Sequence, residues 1–208
     1  MKQQILVLLL ISFCFATQNT PWFCHELECP PFQHVNHTTS TYEIRKYNQN
    51  YWVSTNEQTA SFEQALKICF YRLFSYIDGE NEQKIKIPMT APVRMKIESF
   101  KNQSFAKTNF SESFYLPFKY QPWSREHARV PNPIDPQVVM EKSEQERFAV
   151  LSFGGFVNDQ KVVQYASILR DALDVDKIKY DNSHYFYAGY DPPYRLVSRH
   201  NEIWIKLI

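Results

Sequence analysis

Glycine is nearly missing from this chain. There are four in 208 residues, and none stands in a GxGxxG or GxxxxGK[ST] arrangement. Without a glycine-rich turn leading into a helix, the backbone cannot close on a phosphate, so dinucleotide-binding and P-loop chemistry are excluded. A charge imbalance is also missing: 23 Lys and Arg face 22 Asp and Glu, a formal net charge of +1. Such a surface offers no electrostatic footprint to nucleic acid or an anionic bilayer. No serine stands in a GxSxG turn, and Cys69 lies inside a helical pattern, so no nucleophile–base pairing is seen and no catalytic residue is assigned. Apolar runs of membrane length are absent too. The one that exists, from Ile5 to Ala16 after Lys2, is too short to span a bilayer and ends on small residues (Cys14, Ala16). It predicts a signal peptide over residues 1–16 and an exported chain, secreted or held in the secretory lumen, with no membrane span.

What the chain does have is aromatic residues: 16 Phe, 13 Tyr and 4 Trp. They favour sheet and aromatic-lined surfaces. Beyond the leader, the length suits one domain with a real core. Export predicts a disulfide between the close pair Cys24 and Cys29, pinning an N-terminal extension over residues 17–40. Cys69 reads as a buried free thiol, though the sequence leaves its pairing with either partner open. Three N-x-S/T sequons, Asn36, Asn102 and Asn109, fit the secretory route and predict glycosylated, exposed loops.

The domain proper, 41–208, reads as a duplication with halves of about 41–120 and 137–208. In the first half, YWVSTN (51–56) is a strand. SFEQALKICFYRLFSYIDG (61–79) is a helix, N-capped by Ser61 and closed by Gly79. KIKIPMTAPVRMKI (84–97) is a strand interrupted at Pro88 and Pro92. Residues 98–112 read as a polar loop, FYLPFKY (114–120) as a strand, and 121–136 as a Pro-rich connection. The order then recurs: strand RFAVLSFGGF (147–156), helix NDQKVVQYASILRDAL (158–173) capped by Asn158, then strand, the proline-bearing GYDPP, and strand over 184–208. A proline pair at the same place in both halves predicts a break that bends the sheet or leaves backbone open beside a site.

YEIRKY (42–47), NYWVST (50–55), IPMTAPV (87–93), ASILR (166–170), YFYAGYDPPYRL and RHNEIWI (185–205) together resemble the SOUL/haem-binding protein family over most of the chain. The leader and WFCHELECPPF (22–32) resemble its extracellular branch. The resemblance implies an α+β fold: a distorted antiparallel β-barrel flanked by two helices, with a pseudo-twofold repeat of a strand–helix–strand–strand unit. The fold is similar to the effector-binding domains of bacterial multidrug-responsive regulators. The ligand implied is a tetrapyrrole, haem or porphyrin, bound non-covalently by a monomer acting as carrier, buffer or scavenger.

A porphyrin wants apolar, aromatic contact for its face and cations for its propionates. In helix 61–79, Phe62, Leu66, Cys69, Leu73 and Tyr76 follow a core rhythm, while Lys67, Phe70 and Phe74 form a second row. By resemblance these positions match the family's haem-contacting helix, and Arg195 in DPPYRL matches a basic residue proposed to reach a propionate. Some relatives carry YEIRHY, whose histidine is proposed as the iron ligand. Here that position is Lys46, and a protonated lysine is no ligand. His34 and His37 read as a solvated N-terminal loop, and His200 shares a solvent-facing strand side with Glu202, Trp204 and Lys206. Met89 is a soft contact, and no metal ligand is assigned. Two other functions compete. One is a hydrolase using Glu202 as acid or base with Tyr185, Tyr187 and Tyr190 polarising the substrate. The other is a protein-interaction domain docking through helix 158–173.

Overall fold

The computed structural model describes residues 20–98, 105, 108–126 and 128–208. The leader and Asn102 lie outside them. Among the described residues, nine strands form one curled antiparallel sheet with two helices on its outer face. The strands are β1 (Phe32–Thr38), β2 (Glu43–Tyr47), β3 (Asn50–Thr59), β4 (Val93–Ile97), β5 (Thr108–Tyr115), β6 (Val139–Ser143), β7 (Glu146–Phe153), β8 (Tyr185–Gly189) and β9 (Asn201–Lys206). The helices are α1 (Phe62–Asp78) and α2 (Asp159–Val175).

The sheet order β1-β2-β7-β9-β8-β4-β5-β3-β6 makes the duplication visible. The unit β3–α1–β4–β5 is answered by β7–α2–β8–β9, and the halves join where β4 pairs with β8, Met95 opposite Tyr187. The strands leading each half are exchanged: β2 pairs with β7, and β6 pairs with β3. Neither half therefore completes its own sheet.

Both helices start where their caps require. The Ser61 hydroxyl accepts from Gln64 N at 3.3 Å, and the Asn158 side chain accepts from Lys161 N at 2.9 Å. The two N-termini meet, because Asp159 Oδ1 also accepts from Glu63 N at 3.1 Å. α1 ends on Gly79, whose φ of +123° suits glycine. α1 buries Phe62, Ala65, Cys69, Leu73, Tyr76 and Ile77, and α2 buries Val162, Ala166, Leu169 and Leu173. Leu66 is only half-buried against the core, while Ala65 is fully buried in it. The α2 stripe fills the core against the sheet, which accounts for most of the apolar residues that had suggested a docking helix.

Four segments differ from expectation. Residues 84–92 form no strand: Lys84 has φ +52°, Ile85 is exposed, and the Asn81 side chain takes the Ile85 backbone instead of a neighbouring strand. The strand begins at Val93, after a cis Ala91–Pro92 bond. Of the stretch 98–112 read as a polar loop, residues 108–112 are strand, because TNFSESFY alternates, and residues 99–104 and 106–107 lie outside the described residues. Phe110 and Phe114 are buried in core clusters, while Ser111 and Ser113 line the opposite face. Asn109 thus stands on β5, half-buried, rather than in a loop. FYLPFKY is strand only to Tyr115, since Pro117 cannot donate to a ladder and starts a 3-10 turn over Phe118–Tyr120. Finally, β1 and β6 were not anticipated. HVNH stands on β1 with His34 Nδ1 2.8 Å from Glu43, and Asn36 lies on that same strand.

Candidate functional site

The concave face of the sheet is divided in two. One half is filled by the segment before β1. A 3-10 turn at Trp22–Cys24 and the Cys24–Cys29 disulfide carry Phe23 onto Tyr190, within a core cluster that also holds Tyr47, Phe148, Val150, Phe186 and Trp204. Both proline breaks receive this segment: Ala91 N, in PMTAP, donates to Glu28 O at 3.0 Å, and Asp191, in GYDPP, lies 2.9 Å from His25 Nε2. Interrupting the strands there leaves backbone and carboxylate groups available to a third element. That is why two prolines are tolerated beside paired strands.

Beneath this cover lies Glu202, fully buried. Its Oε1 accepts from Arg45 NH2 at 2.8 Å and sits 2.7 Å from His200 Nε2. Its Oε2 accepts from Arg45 NH1 at 3.1 Å, Tyr190 OH at 2.8 Å and Trp204 Nε1 at 2.7 Å. Burial alone pushes a carboxyl up, but Arg45 and His200 overcome it and hold Glu202 at about 2. The expectation that His200 and its strand face meet solvent is therefore wrong. Alternation placed Glu202, Trp204 and His200 on one side correctly, but Phe23 stacks on the His200 ring at 4.2 Å and closes that side from water.

The residues proposed for tetrapyrrole contact fall in two places. Phe70 and Phe74 stack at 5.9 Å on α1, and Phe70 also meets Phe114 at 5.4 Å. Phe70 and Met89 lean on the same core cluster around Leu73 and Tyr76. Phe74 is 42 % exposed, and Tyr71, one residue from Phe70, is 62 % exposed. Lys67, Tyr71 and Phe74 stand at i, i+4 and i+7, so they form one solvent-facing stripe of a cation and two rings. Arg195 lies elsewhere, on the loop between β8 and β9, where its Nε is 3.0 Å from Asp191. That loop also exposes Tyr194, Leu196 and Val197. Lys46 is half-buried on β2 opposite Gln33 and Arg147. Among the described residues, no group of three or more His, Cys, Asp or Glu side chains is gathered to hold a metal.

Two features escaped sequence reasoning. Glu112, on β5 under α1, is fully buried with neither carboxyl oxygen hydrogen-bonded, and burial pushes it well above the usual carboxylate range. Nearby, burial and then Glu112 push the Cys69 thiol up to about 12, so it is inert. The second feature is the open half of the concave face, a cleft of about 800 Å³ lined by Arg94, Ser54, Ser113, Glu141, His184 and Phe186, among others. An alternating TNFSESFY was the available signal for both. Every second residue belongs to one face, but the sequence does not say what covers each.

The described residues thus form a half-barrel carrying two outer helices, with an aromatic stripe on α1. The model of the SOUL heme-binding protein family matches residues 27–206, and this chain belongs to that family. It is 34 % identical over 165 residues to "Heme-binding protein 2" of Homo sapiens (79 % of this chain, 77 % of that protein). It is 32 % identical over 163 residues to "Heme-binding protein 1" of Xenopus tropicalis (78 % and 82 %). Among solved structures, the fold is similar to the EcmrR C-terminal domain, with TM-score 0.61 and 6 % identity, covering 85 % of this chain and 98 % of that one. It is also similar to a hydrolase encoded by lin2189 from Listeria innocua, with TM-score 0.53 and 8 % identity, covering 83 % and 94 %. At those identities the likeness is one of fold.

Proposed function

We propose that this protein is an exported, monomeric tetrapyrrole binder that takes haem or metal-free porphyrin non-covalently and serves as carrier, buffer or scavenger. The observation that carries this reading is the α1 stripe. A chain that buries most of its aromatic residues leaves Tyr71 and Phe74 in water, with Phe70 stacked behind them and Lys67 one turn away. That donor set fits the flat apolar face and anionic edge of a porphyrin. Family membership and the names of the relatives support the ligand class, and the Cys24–Cys29 disulfide supports export. Lys67 is the nearer propionate partner, because Arg195 is engaged with Asp191. Iron takes no histidine from the YEIRKY position.

The test is a parallel titration with ferric haem and metal-free protoporphyrin, followed by absorbance and tryptophan quenching. Comparable saturable binding of both, weakened at least about tenfold by Phe74→Glu, is expected; loss of one buried aromatic contact is worth about 1.4 kcal/mol or more. A strong preference for haem would refute ligand-free iron, and binding of neither would refute the whole reading. A hydrolase built on Glu202 is not favoured: every lone-pair direction of that carboxylate is engaged, and the Tyr187 and Tyr190 hydroxyls already donate to Asn201 and Glu202.

A further inference from the structure

We propose that the open half of the concave face is a second binding site, separate from the α1 stripe, for a small organic carboxylate with a flat apolar body, anchored by Arg94. Arg94 is 3 % exposed, and its guanidinium lies 3.9 Å over the Trp52 ring and 4.8 Å from the Phe186 ring centroid. The guanidinium is thus held beside two aromatic rings, and Arg94 lines the cleft. Its NH2 donates to Glu141 Oε1 at 2.7 Å, and the other Glu141 oxygen accepts from Ser113 Oγ at 2.9 Å and from Ser54 Oγ. An arginine and two hydroxyls converging on one carboxylate form a socket for that group.

What now fills the socket is a side chain from the edge strand β6. Glu141 is 37 % exposed there, while Ser54 and Ser113 are buried. Among the described residues β6 pairs only with β3 and ends the sheet, so Glu141 reaches in from its margin. The fit is also incomplete. Arg94 Nε has no hydrogen-bond partner although buried, and the same holds for Trp52 Nε1 and for Tyr115 OH on the residue paired with Trp52. Buried donors without acceptors are costly, and of these three residues Arg94 lines the cleft, where a ligand acceptor would satisfy its Nε. A ligand carboxylate displacing Glu141 brings two oxygens and no tether. Its apolar body would lie along Phe186, Val139 and Met140, the last two of which are exposed at the cleft wall. Lys96, Lys142 and Lys206 at the rim are ion-paired with Glu98, Glu144 and Glu146, so the attraction for an anion rests on Arg94. His184 in the wall is kept from adding charge, since burial and then Lys96 lower its pKa.

The experiment uses the full chain with naphthalene-2-carboxylate as probe and naphthalene-2-carboxamide as its neutral control, read by quenching of tryptophan fluorescence. The carboxylate should bind saturably, and the amide at least tenfold more weakly. Arg94→Gln should weaken the carboxylate at least tenfold. Glu141→Gln should strengthen it several-fold, because the resident competitor loses its charge. Should Arg94→Gln fail to fold, Glu141→Gln still decides, as it changes a half-exposed edge position. Equal binding of acid and amide, no binding of the acid, or unchanged or weaker binding in Glu141→Gln would each overturn the site. Protoporphyrin titration of Glu141→Gln is expected to match the unsubstituted protein, so failure here and failure of the α1 reading are separately visible.

Discussion

Replacing Glu202 by Gln tests whether the buried ionic network is as strongly coupled as its geometry states. In the folded chain the carboxyl sits at about 2 rather than the ordinary 4.5, a preference for the ionised form of about 3 kcal/mol at about 1.4 kcal/mol per tenfold. Because the folded pKa lies below the unfolded one, this contribution is complete above pH 4.5 and is lost as pH falls toward 2. The substitution also leaves the buried Arg45 guanidinium with only Glu43, itself partly exposed, as a carboxylate partner. Breaking one side of such a pair costs about 3–5 kcal/mol. Urea unfolding of both proteins at pH 7, 5, 3.5 and 2.5 should therefore show a gap of about 3–5 kcal/mol at neutral pH that narrows by about 3 kcal/mol toward pH 2.5. A gap independent of pH, or a variant as stable as the parent at pH 7, would refute the ionised, charge-paired Glu202. It would also reopen its use as an acid or base.

The disulfide closes only a short loop, so Cys24→Ser with Cys29→Ser should cost about 2 kcal/mol in thermal or urea unfolding. It should also raise hydrogen exchange at the Ala91 amide, which bonds to that loop; unchanged exchange would deny that the loop holds the proline break. Glu112→Met should stabilise the protein at pH 7 by about 1–3 kcal/mol, the cost of a buried polar group without partners. Glu112 is raised in the folded state, so its contribution is complete below pH 4.5 and falls as pH rises toward its folded value. The Met variant should accordingly lose less stability between pH 5 and 9, and a destabilised variant would show that Glu112 has a role in packing.

Strand–helix order, both helix caps and the duplication were legible because each is written locally. Ser61 and Asn158 satisfy amides three residues on, and Phe62, Cys69, Leu73 and Tyr76 repeat with the helical period. TNFSESFY escaped for a physical reason: Ser111, Glu112 and Ser113 run consecutively and look like a loop unless it is known that the serines face a polar cleft while Glu112 is buried under α1. Gly189 is another such case, since a Cβ there would lie 2.5 Å from the Tyr187 hydroxyl, a contact invisible in the sequence.

By itself the sequence determined both helices and where they begin, and the strands around 51–56, 93–97, 147–153, 185–189 and 201–206; it set Lys67 and Phe74 on one stripe of α1, whose third member is Tyr71 while Phe70 packs inward. Tertiary structure decided the environment of each face. His200 and Glu202 stand on the polar side of β9 by alternation, yet they are buried because a segment about 180 residues earlier folds over them with Phe23. Arg45, 157 residues from Glu202, supplies the charge that makes that burial tolerable. Periodicity depends on nearest neighbours along the chain, whereas solvent exposure depends on what arrives from far away, and only the folded sheet brings those two together.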